Sequence, residues 1–140
     1  MRISVKAIAV GLALAVCVPS ALACGYCAED KVASVYDHVA VKKALGSSHH
    51  VAFFHIDGLL VPADSVRRAI QSSAESVDGV DRGSVRISLD TASVAIAFDP
   101  GRVSLASLQN SLDRKLAPKK LSLFFFQIMD RPGELKSAKR

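Results

Sequence analysis

Two cysteines and three histidines are the residues of this chain with the clearest capacity for chemistry. Cys24 and Cys27 form a Cys-Gly-Tyr-Cys motif, whose spacing lets both sulfurs face one soft metal ion such as Cu(I). A tetrahedral zinc site would need two further ligands, so the motif fits copper better than zinc. His49, His50 and His55 are the candidates for additional ligands. These five residues are the predicted metal site.

Two other interpretations of the cysteine motif stay open. The motif resembles the active site of periplasmic disulfide isomerases, in which one thiol attacks and the second resolves. No strand precedes Cys24 in the mature chain, as a thioredoxin fold would require. Alternatively, the cysteines form a local disulfide or inert thiols in a non-metal interaction module. The chain has no catalytic triad pattern, phosphate-binding glycine loop or metalloprotease motif, and we expect no enzyme activity beyond a redox role.

The first 23 residues are typical of a cleaved export signal. Arg2 and Lys6 give a positive start, residues 7–18 are apolar, and residues 21–23 read Ala-Leu-Ala, a small-x-small cleavage site. The apolar run is shorter than the roughly 20 residues that a membrane span needs. We therefore expect a mature chain that begins at Cys24 and resides in the periplasm or is secreted. A lipid anchor on Cys24 is the alternative, because the residues before it resemble a bacterial lipoprotein signal.

Length and charge narrow the class of protein further. A chain of 140 residues suffices for one domain with its own core. Removing residues 1–23 lowers the formal net charge from +5 to +3, because it removes Arg2 and Lys6 and no acidic residue. The remaining basic residues are dispersed and the chain has no Trp, so no nucleic-acid surface is expected. Export also places Cys24 and Cys27 where disulfides persist.

Residues 24–46 are predicted to form one helix led by the two cysteines. Its apolar residues recur at helical spacing, which indicates a helix of about 17 residues with one buried stripe. Glu29 and Asp30 lie in the first turn, Lys42 and Lys43 lie in the last, and Gly46 is placed to be the C-terminal cap. The helix dipole favours thiolates at its start, and the two acidic residues oppose that effect. The stripe comprises Val32, Val35, Tyr36, Val39 and Ala40.

The rest of the chain alternates strand and helix patterns in the order strand, helix, strand, strand, helix, strand. Ser84 to Ser104 carries the central hairpin, since apolar residues alternate on both sides of a turn-forming segment. This order is the split βαβ arrangement of ferredoxin-like domains. Residues 130–140 are polar and are expected to form a mobile tail. The elements are predicted at residues 50–56, 66–77, 85–89, 94–98, 105–116 and 121–129.

Within residues 50–129 the sequence resembles the heavy-metal-associated domain family. The resemblance implies an α+β fold, a ferredoxin-like βαββαβ sandwich, here with an additional N-terminal helix. It also implies a metal-binding function, with a metal ion and a partner protein as the molecules bound. The residues that carry it are Ile56-Asp57-Gly58-Leu59, Asp78-Gly79-Val80, residues 85–89, and residues 92–100 followed by Val103 and a leucine-rich helix.

The chain departs from that family at the metal-binding loop. The family places Gly-Met-x-Cys-x-x-Cys between its first strand and first helix, whereas Val61 and Asp64 occupy the two cysteine positions here. The leading prediction is therefore an exported copper-binding or copper-carrying protein that uses the N-terminal motif instead. The added helix must bury its apolar stripe, either on the second face of the sheet or in a homodimer.

Overall fold

The computed structural model describes residues 27–138. The predicted signal peptide and Cys24 lie outside these residues. Within the described range the chain forms four α-helices, one 3-10 turn at Ala117–Lys119 and five strands. In chain order they are α1 Ala28–Val35, α2 His38–Gly46, β1 His50–Gly58, α3 Ala63–Glu75, β2 Arg86–Ser88, β3 Ser93–Phe98, α4 Leu105–Leu116, β4 Leu121–Arg131 and β5 Glu134–Ser137.

The strands form one antiparallel sheet in the order β2-β3-β1-β4-β5. The first four strands in chain order, with α3 and α4 between them, follow the order βαββαβ, and β1 lies between β3 and β4. This is the ferredoxin-like arrangement, so the predicted α+β fold class is confirmed. Strand β1 is the centre of the sheet. It pairs with β3 from His50 opposite Phe98 to His55 opposite Ser93.

The first face of the sheet is covered by α3 and α4. Ala52, Phe54 and Ile56 of β1 point toward these helices and are almost fully buried. Apolar residues spaced three or four apart on each helix meet them, as a buried helical stripe requires. Ser104 caps α4, because its Oγ accepts a hydrogen bond from the Ser107 N–H at 3.1 Å. The helix residues facing the sheet include Val66, Ile70, Ala74, Leu108, Leu112 and Leu116.

The second face of the sheet is covered by the N-terminal helices α1 and α2. Val51 and Phe53 of β1 and Ala95 and Ala97 of β3 form the floor of a separate core with Met129. The N-terminal segment thus buries its apolar side on the second face of its own sheet. The sequence left this possibility open together with burial in a homodimer. The helix residues in this core are Val32, Val35, Val41 and Ala44.

The prediction of one continuous N-terminal helix is wrong, because the chain breaks at Tyr36 and Asp37. Both residues have extended backbone angles. The Asp37 carboxylate caps α2 by accepting hydrogen bonds from the N–H groups of Val39 and Ala40 at 2.9 and 3.1 Å, which competes with helix continuation. The break changes the buried stripe. Tyr36 and Val39 are 42% and 74% exposed, and residues of α2 further along replace them in the core.

Residues 130–137 form ordered strand and turn structure, whereas the sequence predicted a mobile tail there. Strand β4 continues to Arg131, and β5 pairs with it after a tight turn at residues 132–133. Gly133 has a φ of +73°, a conformation that glycine adopts without steric cost. The Lys136 Nζ also donates to the Asp130 carboxylate at 2.6 Å. Residues 130–137 therefore belong to the sheet.

Candidate functional site

Of the two predicted cysteine ligands, Cys27 lies within the described residues. It occupies the N-cap position of α1, and its backbone carbonyl accepts the hydrogen bond of the Lys31 N–H at 3.1 Å. The thiol is exposed and donates to the Asp30 carboxylate at 3.1 Å. Cys24 lies three residues earlier, outside the described residues. The Cys27 sulfur is thus accessible at the start of a helix that is itself packed on the sheet.

The charges around Cys27 control its protonation. The backbone N–H of Asp30 lowers the pKa of the thiol, but the side chains of Asp30 and Glu29 together outweigh it and hold the pKa above its ordinary value of 9.0. The free thiol is therefore mostly protonated near neutral pH, unlike the activated thiols of redox enzymes. The same two carboxylates attract a cation. This environment suits a thiolate formed on metal binding better than a standing nucleophile.

His55 lies near the end of β1, on the side of the sheet that α1 covers. Its Nδ1 is 2.9 Å from the Lys31 Nζ and 3.0 Å from the Ala92 carbonyl oxygen. Lys31 also donates to the Thr91 carbonyl at 2.9 Å, so it joins α1 to the start of β3. Lys31 is one helical turn from Cys27. The structure thus brings His55 to the region of the N-terminal helix, but with an ammonium group against its ring.

His49 and His50 lie at the opposite end of β1 from His55. At about 3.3 Å per residue, five residues of strand separate His50 from His55 by roughly 16 Å. His49 Nδ1 is 2.9 Å from both carboxylate oxygens of Asp81, and its Nε2 is 3.8 Å from Asp99. His50 contacts the Phe98 ring edge to face, with centroids 5.8 Å apart.

The predicted ligands are therefore spread over two ends of the sheet. Among residues 27–138, no group of three or more His, Cys, Asp or Glu side chains is arranged to hold a metal ion. The assignment of Cys24, Cys27, His49, His50 and His55 as ligands stays a prediction, since one thiol of the motif lies outside this range.

The loop that carries the metal-binding cysteines in the heavy-metal-associated domain family lies within the described residues of this chain. It connects β1 to α3, and Leu59 and Val61 are exposed on it. Asp64 lies in the first turn of α3, whose N-cap is Pro62. At the two positions where that family presents thiols, this chain therefore presents an apolar side chain, Val61, and a carboxylate, Asp64.

Sequence reasoning missed the polar contacts that hold α1 and α2 in place. The Arg86 Nε and Nη2 donate to one Asp37 oxygen at 2.9 and 2.8 Å. The hydroxyls of Ser34 and Thr91 lie 2.6 Å apart. These partners are separated by 49 and 57 residues, so no local pattern in one sequence connects them.

The fold defines an α+β domain of the ferredoxin-like class with a second helical layer. No family model matches the sequence, and no curated protein matches it. A similar solved structure is the N-terminal domain of a potential copper-translocating P-type ATPase from Bacillus subtilis, determined in solution in the Cu(I)-loaded state. It is 19% identical with a TM-score of 0.47, and the match covers 61% of this chain and 98% of that one. Within residues 27–138, no helix has the length and apolar character to cross a membrane.

Proposed function

We propose that this protein is exported and binds one soft transition-metal ion, copper in its reduced state, through the thiolates of Cys24 and Cys27. The observation that carries the proposal is the exposed Cys27 thiol, flanked by the carboxylates of Glu29 and Asp30. Cu(I) favours soft thiolate ligands, and the motif supplies two of them within four residues.

Electrostatics favours the metal-bound form of the motif over a pair of free thiolates. A free thiolate at Cys27 is opposed by the neighbouring carboxylates, which raise its pKa. Binding of Cu(I) displaces both thiol protons and leaves a copper-dithiolate unit with one negative charge, whereas two free thiolates carry two. The carboxylates therefore oppose the metal-bound pair less than the free thiolate pair. A site of this kind stays protonated and little reactive until metal arrives.

The histidines contribute less in this proposal. Lys31 lies 2.9 Å from His55 Nδ1, and its positive charge disfavours a metal ion at that nitrogen. His49 already has Asp81 as its partner. The proposed site therefore uses the two sulfurs, with a partner protein as donor or acceptor of the ion.

The experiment is a Cu(I) titration of reduced protein beginning at Cys24, under anaerobic conditions and against a competing chelator. We expect one tightly held ion per chain, with binding lost in both Cys24→Ser and Cys27→Ser. His49→Gln and His55→Gln are the matched controls and should retain the ion. Tight binding that survives both cysteine substitutions would exclude the proposed site.

The same protein distinguishes the alternative interpretations. Thiol counting in air, followed by reduction, measures whether Cys24 and Cys27 form a disulfide. An absence of tight Cu(I) binding together with a stable disulfide would favour the non-metal interaction module. Turnover of a reduced substrate protein would favour the redox role. Fractionation of the host cell and sequencing of the mature N-terminus test export and cleavage before Cys24.

A further inference from the structure

A cleft opens on the second face of the sheet, between α2 and the turn that joins β4 to β5. Its volume is about 520 Å³, within the range of roughly 300–1,000 Å³ that is typical of ligand sites. The cleft exists because the two short N-terminal helices pack mainly over β1, β2 and β3, while the sheet continues to β4 and β5. Val41, Leu45, Met129 and Pro132 give it an apolar lining.

The polar groups of the cleft carry one sign of charge. Lys42 and His38 line it together with Tyr36, and no Asp or Glu among residues 27–138 is part of the lining. Within residues 27–138, Lys42 takes part in no ion pair. Tyr36 is in this position because the break between α1 and α2 removes it from the buried stripe. The cleft thus offers an apolar body, one full positive charge and two further hydrogen-bonding side chains.

We propose that this cleft binds a monocarboxylate with an apolar body, of the class of medium-chain fatty acids. The apolar walls remove the hydrocarbon chain from water, and the Lys42 ammonium pairs with the carboxylate. A neutral alcohol or a cationic amphiphile would leave Lys42 without a partner. The proposal is separate from the proposed metal site at Cys27, since Cys27 does not line the cleft.

Isothermal titration with sodium decanoate below its micelle concentration tests the proposal. Decyltrimethylammonium is the matched probe, because it has the same chain and the opposite head-group charge. Lys42→Gln removes the charge inside the cleft, and Lys43→Gln removes the neighbouring charge outside it. Gly46→Leu adds an apolar side chain at a residue that lines the cleft, and a Cβ there meets no atom within 4 Å. Circular dichroism confirms that each variant is folded.

We expect one decanoate per chain, binding about tenfold weaker in Lys42→Gln, which corresponds to one charge-assisted contact. Gly46→Leu should lose binding and Lys43→Gln should keep it. Decyltrimethylammonium should bind at least about tenfold more weakly than decanoate. Lack of saturable decanoate binding, equal binding of the two head groups, or undiminished binding to folded Gly46→Leu would each overturn the proposal. The Cys27→Ser variant should bind decanoate normally even if the metal proposal fails.

Discussion

The two faces of the sheet are built differently. The first face carries α3 and α4, of 13 and 12 residues, packed through large side chains such as Phe54, Leu108 and Leu112. The second face carries α1 and α2, of 8 and 9 residues, packed largely through valine and alanine. Because apolar stabilisation scales with buried area, the first face supplies most of the stability. The second layer covers a face that would otherwise expose Phe53.

Polar contacts to the sheet orient the second layer. Lys31 and Ser34 of α1 reach Thr91, and Asp37 before α2 reaches Arg86. Contacts of this kind at partly exposed positions contribute little free energy each, but they fix orientation. Two of these contacts come from α1, whose N-cap is Cys27, so they help to fix the position of Cys27 over the sheet. Stability and placement of the candidate site therefore come from different layers.

Phe53 and Phe54 offer the sharpest test of this comparison, because they are adjacent on β1, both 0% exposed, and point to opposite faces. We expect Phe54→Ala to lower the free energy of unfolding by about 3–5 kcal/mol. Phe53→Ala should cost less, near the lower end of that range, because the short helices α1 and α2 can shift to reduce the cavity. Urea unfolding of both variants measures the difference.

Hydrogen exchange supplies the control for this pair of variants. In Phe53→Ala, amide protection should fall first in α1 and α2, while β1 and β3 stay protected. In Phe54→Ala, protection should fall throughout the domain. Equal costs of the two substitutions, with the same exchange pattern, would mean that both layers unfold as one unit.

The cap of α2 gives a smaller effect that depends on pH. The Ala40 N–H and the Arg86 guanidinium hold the pKa of Asp37 below its ordinary value of 3.8. A carboxyl with a lowered folded-state pKa stabilises the fold above its unfolded pKa, and this stability is lost as the pH falls through the folded pKa. Asp37→Asn keeps a capping oxygen but loses the charge. The variant should be less stable than the parent at pH 7, and the difference should shrink below pH 3.8.

Urea unfolding of parent and variant at pH 7 and pH 3 measures this difference. Subtraction removes the contribution of other carboxyls such as Asp130, whose pKa is also lowered, by Lys136. A difference that stays constant from pH 7 to pH 3 would show that the Asp37 charge does not stabilise α2.

Most of the first layer could be predicted from the sequence because its signals are local. The alternation in residues 94–98 and the leucine spacing of α4 each lie within one element, and the cap at Ser104 directly precedes its helix. The second layer was predicted less well. The stripe through Tyr36 and Val39 fits a helix on its own, but Asp37 breaks it through capping and through Arg86, which lies 49 residues away.

The candidate site was predictable in its residue types and in the separation of its histidines along β1, but not in the contacts that these residues make. The accessible Cys27 thiol and its acidic neighbours follow from adjacent sequence. The locations of His49 and His55 at opposite ends of β1 also follow, from strand geometry alone. Their partners do not, because Asp81 and Lys31 reach them through the tertiary fold. The β4–β5 hairpin was missed because a short charged strand resembles a polar tail.

The smallest expected effect concerns the end of α2. Gly46 is the last residue of α2, as the sequence suggests, but the left-handed position beyond the helix is Ser48, with a φ of +59°. The His49 N–H donates to the Ala44 carbonyl at 2.9 Å and the Ser48 N–H to the Leu45 carbonyl at 3.1 Å. These are the two bonds of a Schellman motif, whose left-handed position is usually glycine. Serine at this position carries a steric cost that glycine lacks.

We therefore expect Ser48→Gly to stabilise the protein by roughly 0.5–1 kcal/mol, as the left-handed strain is relieved. Gly46→Ala should raise the free energy of unfolding by a further amount of roughly 0.4–1 kcal/mol. Alanine restricts the unfolded chain, and a Cβ at this position meets no atom within 4 Å. Thermal melting of the two single variants and the double variant measures both gains.

If Ser48→Gly destabilises the protein, the serine side chain has a role that outweighs its strain. A stabilised α2 that leaves exchange in α1 unchanged would show that Asp37 separates the second layer into two independent helices.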